Sequence, residues 1–234
     1  MTEYSSDDVK LLVEVGELPA WYLPIVDGLL GASPEELVRF QAPPEAQVRH
    51  SAVLVLFADG SDRGTGGPDV LIIERAAEMR SHAGQPAFPG GAHDQVDDGP
   101  IATALREAQE ETGLDPRGVT PVVTLPQMWL PPSGFVVTPV LGWWHEPSPV
   151  QAADPAEVAD VHRVAVADLV NPRNRVKVSH PSGYIGAGFE VDGMLVWGFT
   201  GMLLDRLLSL AKWEQPWEPS ARVVPFDDGW RVSP

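Results

Sequence analysis

Apolar positions along this chain gather in runs of strand length, separated by stretches rich in Gly, Pro and Asp. Ser51 to Ala58 is a continuous apolar run and predicts a buried strand. Asp59 to Pro68 reads as a surface loop, and Val70 to Ile73 as a second strand paired with the first in a hairpin. Pro100 to Thr112 predicts a helix closed by Gly113, a residue suited to the left-handed turn at a helix end. Strands are expected at Val119–Leu125, Phe135–Trp144 and Val158–Val166, with a further pair near Arg175–Ser179 and Gly188–Val196. Thr200–Leu210 carries Met202, Leu203, Leu204, Leu207, Leu208 and Leu210 at helical spacing. Many strands with few intervening helices predict a mixed sheet between helices rather than a regular βαβ series.

The flanks read differently. Residues 1–46 are expected to form a mostly helical extension, in which Ser33-Pro34-Glu35-Glu36 is a helix start with Ser33 as N-cap and Glu36 placed for a capping box. Ala42-Pro43-Pro44-Glu45 breaks the chain before the main domain, 47–213. The tail, 214–234, is rich in Pro and Trp and reads as irregular.

Composition narrows the function. The chain has 234 residues, 44% apolar and 21% charged, an ordinary globular balance for one domain with extensions. It has no cysteine, which excludes disulfides and thiolate metal sites. No apolar stretch is long enough to span a membrane, and the first residues carry acids where a signal peptide carries Lys or Arg. A cytoplasmic location is the expectation. The formal net charge of −17 argues against nucleic-acid binding, because no large basic surface is available to displace counterions. An acidic protein can act on a phosphate substrate when divalent cations invert the local field.

The informative segment is Arg106-Glu107-Ala108-Gln109-Glu110-Glu111-Thr112-Gly113-Leu114. On a helix, Glu107, Glu110 and Glu111 share an arc of roughly 100°. Like charges at these spacings repel, and Glu110 and Glu111 sit at the wrong end of the helix dipole for anions. Leu105, Ala108 and Thr112 are expected on the inward face. Acids gathered against local preference suggest ligands for hard cations such as magnesium, with Arg106 orienting a carboxylate. A solvated acidic helix face is the alternative reading of these three acids alone.

The residues before the helix decide between the two. Gly90-Gly91, a short acidic loop, Arg106-Glu107, Glu110-Glu111 and Gly113-Leu114 together resemble the Nudix box, G-x5-E-x7-R-E-U-x-E-E-x-G-U with U aliphatic. Two departures stand out. The spacing from Gly91 to Arg106 is one residue longer, and Asp98, or Asp97 if the extra residue falls later, replaces the early Glu of the box.

Upstream, Leu71-Ile72-Ile73-Glu74-Arg75-Ala76 is followed by Arg80, Gly84 and Phe88-Pro89-Gly90-Gly91. This is similar to the coenzyme A diphosphatase signature of the same family, with Ile73 in place of the usual Thr. Arg80-Ser81-His82-Ala83-Gly84-Gln85 agrees with the family's RxHxGQ stretch, and Pro155-Ala156-Glu157-Val158 with its segment after the sheet. Val196-Trp197-Gly198-Phe199-Thr200 matches the opening of its last helix, and Trp197 is read as a core residue.

The resemblance implies an α/β/α sandwich with a mixed β-sheet and a loop–helix–loop box. It implies Mg2+ or Mn2+ held by Glu107, Glu110 and Glu111, and catalysis that also uses Arg106 and, as general base or further ligand, Glu157. Arg75, Arg80, Gly84, Gln85, Phe88, Gly90 and Gly91 are the implied substrate-binding residues, the two arginines for phosphates. The expected reaction is hydrolysis of coenzyme A or an acyl or oxidised form by activated water. The expected partner is that small-molecule nucleotide, with neither nucleic acid nor membrane; a homodimer is compatible with the chain. Two rivals stay open: a Nudix hydrolase for another nucleoside diphosphate derivative, and a Nudix-fold binding module without catalysis.

Overall fold

The computed structural model describes residues 9–37, 42–43, 45–64, 66–77, 84–130, 133–181, 183–217 and 221–226. In chain order its elements are strand β1 (Lys10–Leu11), helices α1 (Leu23–Gly31) and α2 (Pro34–Leu37), and strands β2 (Arg49–Ala58), β3 (Asp69–Arg75), β4 (Pro86–Ala87) and β5 (Gly90–Ala92). Helix α3 (Gly99–Thr112) precedes strands β6 (Val119–Thr124), β7 (Met128–Leu130), β8 (Phe135–Trp144) and β9 (Val158–Ala165). Then come helix α4 (Val166–Val170), strands β10 (Arg175–Ser179), β11 (Ile185–Val191) and β12 (Met194–Val196), helix α5 (Gly198–Leu210) and strand β13 (Arg222–Pro225).

The apolar run of β2 explains the layering. Successive side chains of a strand point to opposite faces. Ala52, Leu54, Leu56 and Ala58 pack with Ala104 and Ala108 of α3. Val55 and Phe57 pack on the other face with Ile25, Val26 and Leu29 of α1 and with Leu203, Leu204, Leu207 and Leu208 of α5. A strand apolar on both faces is what a sheet covered on both sides requires. The α/β/α sandwich expected from sequence is the fold observed.

The main sheet runs β1-β6-β8-β2-β3-β4, with β9 on β3, β5 on β2 and β7 on β8. It is mixed, because β2 and β8 are parallel while the other pairs are antiparallel. The predicted hairpin of β2 and β3 exists, but the two strands pair only at Phe57 and Ala58. They then part, and β5 takes the vacated edge of β2 at Ser51, Ala52 and Val53. The Leu54 N–H donates to Pro89 O at 2.8 Å and closes the gap. This splayed edge carries the candidate site.

A second sheet, β12-β11-β10-β13, lies on the α1/α5 side, where Phe189, Val191, Met194 and Val196 join the larger core. The single strand expected at 188–196 is in fact two, β11 and β12, joined through Asp192-Gly193 with both residues at positive φ (50° and 77°). That is the backbone of a tight two-residue hairpin turn. Buried Arg175 lies between the rings of Phe189 (4.5 Å) and Trp217 (4.2 Å) and pairs with Asp205.

Both flanks join the fold. In the N-terminal extension, the Ser33 N–H donates to Glu36 at 2.9 Å, as a capping box requires. Tyr22 is fully buried and donates to Gly142 O at 3.2 Å, and β1 pairs with β6. The tail read as irregular contributes β13, which adds parallel to β10 because Val224 has an apolar surface to cover beside Val176, Val178 and Leu195. Trp197 is only partly buried and sits outside the main core, its ring 4.0 Å from that of Phe226 in the tail. Among the described residues, no helix is long and apolar enough to cross a membrane.

The extension is thus expected to be inseparable from the core. Ile25→Ala should lower unfolding free energy by about 2–5 kcal/mol, the usual cost of emptying a buried aliphatic site. Urea unfolding measures it, and a loss below about 1 kcal/mol would contradict this packing.

Candidate active site

Helix α3 lies close to the sheet because its inward stripe is small. Ala104 and Ala108 are fully buried. The helix ends where expected, with Gly113 at φ 70° and its N–H donating to Gln109 O at 2.9 Å. The inward face differs from expectation in one respect: Leu105 is half-buried, whereas Glu111, at 5% exposure, points inward with Ala108 and Thr112. The i, i+4, i+7 line through Ala104 and Ala108 continues to Glu111, so geometry buries the acid.

The glycine pair makes room for this. The Gly90 N–H donates to Glu111 Oε2 at 2.9 Å. A Cβ on Gly91 would lie 2.4 Å from the Glu107 carboxylate, and one on Gly90 2.4 Å from Ala52 O. The box glycines are therefore the floor on which the two carboxylates rest.

Arg106 organises the other acids. Its Nε donates to Asp97 Oδ1 at 2.9 Å and its Nη2 to Asp97 Oδ2 at 3.0 Å. Nη1 reaches Glu107 Oε1 at 2.9 Å and Glu110 Oε2 at 2.8 Å, and Nη2 reaches Ala92 O at 3.1 Å. Asp97 also accepts from Thr103 Oγ1 and from the Asp94 N–H, both at 2.9 Å. Between the two acids that can stand for the early box Glu, the geometry selects Asp97: its side chain is 3% exposed, while Asp98 is the N-cap of α3 without a side-chain capping bond. The extra residue thus falls after Asp97, where Gly99 opens the helix at φ 83°. Counting forward from Gly91 finds Asp97 at the position of the pattern's Glu. Thr103, and His93 at 3.2 Å from Thr103 Oγ1, carried no signal of their own in the sequence.

The electrostatics divide the acids. The Arg106 guanidinium holds Asp97 well below the usual carboxylate range. Burial raises Glu107, against the pull of Arg106. Burial raises Glu111 further, to about 7, opposed by the Gly90 N–H and Arg75 and reinforced by the charges of Glu107 and Glu157. Glu157 is exposed at the head of β9, where its carbonyl accepts from the Ala76 N–H at 2.8 Å beside Arg75. Arg75 Nη1 is 3.8 Å from Glu111 Oε1.

Glu111 thus feels Arg75, Glu107 and Glu157, and Glu107 feels Arg106, Glu110 and Glu157, while Glu110 itself is 59% exposed and paired with Arg106. Among the described residues, no three acid or imidazole side chains converge as a ready-made cage. The donor chemistry nonetheless suits a divalent ion of the magnesium type: all oxygen, with Glu107 and Glu111 both raised by burial and by neighbouring acids.

The other expected residues fall as follows. Gly84 and Gln85 fold back on Arg75, with Gly84 N–H to Arg75 O at 3.0 Å and Arg75 N–H to Gln85 O at 3.2 Å. Phe88 is a core residue at 2% exposure and holds the loop from within. Arg80 and His82 lie outside the described residues.

A family profile described as NUDIX domain matches residues 48–182. A protein described as the uncharacterized Nudix hydrolase NudL of Cronobacter sakazakii is 38% identical over 156 residues, 64% of this chain and 78% of that one. Its namesake from Pectobacterium atrosepticum is 44% identical over 108 residues, 44% of this chain and 53% of that one. The crystal structure of a Nudix hydrolase from M. smegmatis, RenU, aligns with 26% identity and TM-score 0.42 over 52% of this chain and 73% of that one.

Two outcomes are expected. Gly91→Ala should displace the Glu107 carboxylate and lower kcat about a hundredfold or more, with an unchanged far-ultraviolet spectrum. Near-normal kcat would show that Glu107 does not need its seat. The second concerns Glu111 in metal-free protein. Its pKa is raised from 4.5 to about 7, so the folded state holds a proton that the unfolded state releases. Stability should therefore fall as pH rises from about 4.5 to 7, by roughly 3 kcal/mol in total. Glu111→Gln should lack that slope and be the more stable protein at pH 8. Parallel pH–stability curves for the two proteins would contradict the burial argument.

Proposed function

This chain belongs to the Nudix family, and from that premise we propose that it hydrolyses the diphosphate linkage of coenzyme A or its acyl or oxidised derivatives. The products would be 3′,5′-ADP and 4′-phosphopantetheine or its derivative. The observation that carries the reading is the run from Leu71 to Gly91, because the box acids serve every substrate of such a family. That run ends β3 in Arg75, turns back through Gly84 and Gln85, and delivers Gly90 and Gly91 beneath Glu111 and Glu107. A substrate phosphate received by Arg75 would thus lie beside the carboxylates.

Each group has a chemical task in this reading. A divalent cation, Mg2+ or Mn2+, held by Glu107, Glu111 and, after rotation away from Arg106, Glu110, would neutralise phosphate charge and acidify a water. Arg75 binds a phosphate through its guanidinium fork, with Arg80 as its proposed companion. Glu157, an exposed acid within Coulomb reach of Glu107 and Glu111, accepts the proton as the water oxygen bonds to phosphorus. The phosphorus–oxygen bond to the departing phosphate breaks in the same displacement. Arg106 keeps Glu107 aligned, releases Glu110 when it turns to the cation, and is fixed in turn by Asp97.

A substrate panel at fixed magnesium tests this. Recognition through phosphates and adenine leaves the acyl end free, so coenzyme A and short acyl-coenzyme A should show similar kcat/KM. ADP-ribose, NADH and 8-oxo-dGTP should fall at least about a hundredfold lower, roughly 2.7 kcal/mol in transition-state binding. The diagnostic product is 3′,5′-ADP. Faster cleavage of ADP-ribose or 8-oxo-dGTP would remove the coenzyme A assignment, and no cleavage of any member would favour a binding module.

A further inference from the structure

Glu111 and Arg75 form an ion pair that is poorly made for permanence. Glu111 is 5% exposed, and its Oε2 is satisfied by the Gly90 N–H at 2.9 Å. Its Oε1 faces Arg75 Nη1 at 3.8 Å, beyond hydrogen-bond length. Arg75 Nε is buried and has no hydrogen-bond partner among the described residues. Two other arginines of this fold are better satisfied: Arg106 makes bidentate bonds to Asp97, and Arg163 binds Asp69 and Asp62 at 2.9 Å or less through its Nη atoms. Arg75 thus compensates a buried charge while keeping donors unspent, in a neighbourhood that also feels Glu107 and Glu157.

We propose that Arg75 is an exchangeable counter-ion of Glu111, occupying the carboxylate while no divalent cation is bound and turning to a substrate phosphate once one is. The inference rests on the reading of Glu111 as a cation ligand. Two positive groups competing for Oε1 repel each other in a half-buried site. Arg75 therefore weakens cation binding in the substrate-free enzyme and strengthens substrate binding afterwards, which makes the cation the first to bind. A residue that merely shaped the site would weaken both.

The test measures Mn2+ binding to the full chain without substrate, from the resonance of free Mn2+. Arg75→Gln should bind Mn2+ on the order of tenfold more tightly than wild type, whereas Arg75→Lys, which restores the charge, should bind it as wild type does. Equal or weaker binding by Arg75→Gln, with Glu111→Gln weakened, overturns the exchange and leaves Glu111 as a ligand. Unchanged binding by Glu111→Gln overturns the ligand reading and the exchange with it. A second measurement needs only the folded wild type: the Arg75 Nε–H resonance, assigned by its loss in Arg75→Lys, should shift on addition of Mg2+. A resonance that does not move overturns the proposal even if Arg75→Gln does not fold.

Discussion

The constraint on which the site depends is the closeness of α3 to the glycine pair of β5. Ala104 and Ala108 bring the helix down onto the sheet, and Gly91 leaves no side chain where the Glu107 carboxylate rests. The same approach puts Glu111 within reach of the Gly90 N–H. A single added methyl group at Gly91 conflicts with all three atoms of the Glu107 carboxyl group. The order of residues follows from this contact. The glycines must end a strand, the acids must lie on the helix that returns over it, and the loop between must turn the chain back.

That arrangement concentrates negative charge in a chain already at −17, and two arginines divide the task of holding it. Arg106 serves the solvent side of the helix, where Asp97 fixes it and it fixes Glu107 and Glu110. Arg75 serves the buried side, from strand β3 and, among the described residues, with one long ion pair. The first is a structural clamp with its donors spent. The second is a charge placed near a carboxylate without being committed to it. The difference in hydrogen bonding, not in charge, separates their roles.

Much of this was legible in the chain because the relevant signals are local. The run Ser51–Ala58, the helix closed by Gly113, and the strands Phe135–Trp144 and Arg175–Ser179 all lie where periodicity put them. Elements whose existence depends on pairing escaped: β4, β5 and β7 have two or three residues each and no pattern of their own. The Asp192-Gly193 turn carries a usable signal, since Asp-Gly between apolar runs marks a hairpin, although the apolar character of 188–196 on its own suggests one strand. At the site, helical spacing sets the three acids within one arc of the helix. It did not rank them by depth, and burial of Glu111 became visible only once the helix was docked.

The longer loop shows how the box tolerates a departure without losing its geometry. An extra residue between Asp97 and Arg106 would rotate a continuous helix by about 100° and carry Arg106 away from Asp97. The chain avoids this by placing the residue before the helix is established. Asp97 stays in the loop, anchored by the Asp94 N–H and Thr103, and Gly99 takes the left-handed conformation that starts the helix afresh. From Thr103 onward the helix then carries its own registration: Thr103 to Asp97, Arg106 to Asp97, Glu107 over Gly91, and Glu111 to Gly90. Variation is absorbed where the backbone is free to turn, and excluded where four successive contacts set the helix's rotation.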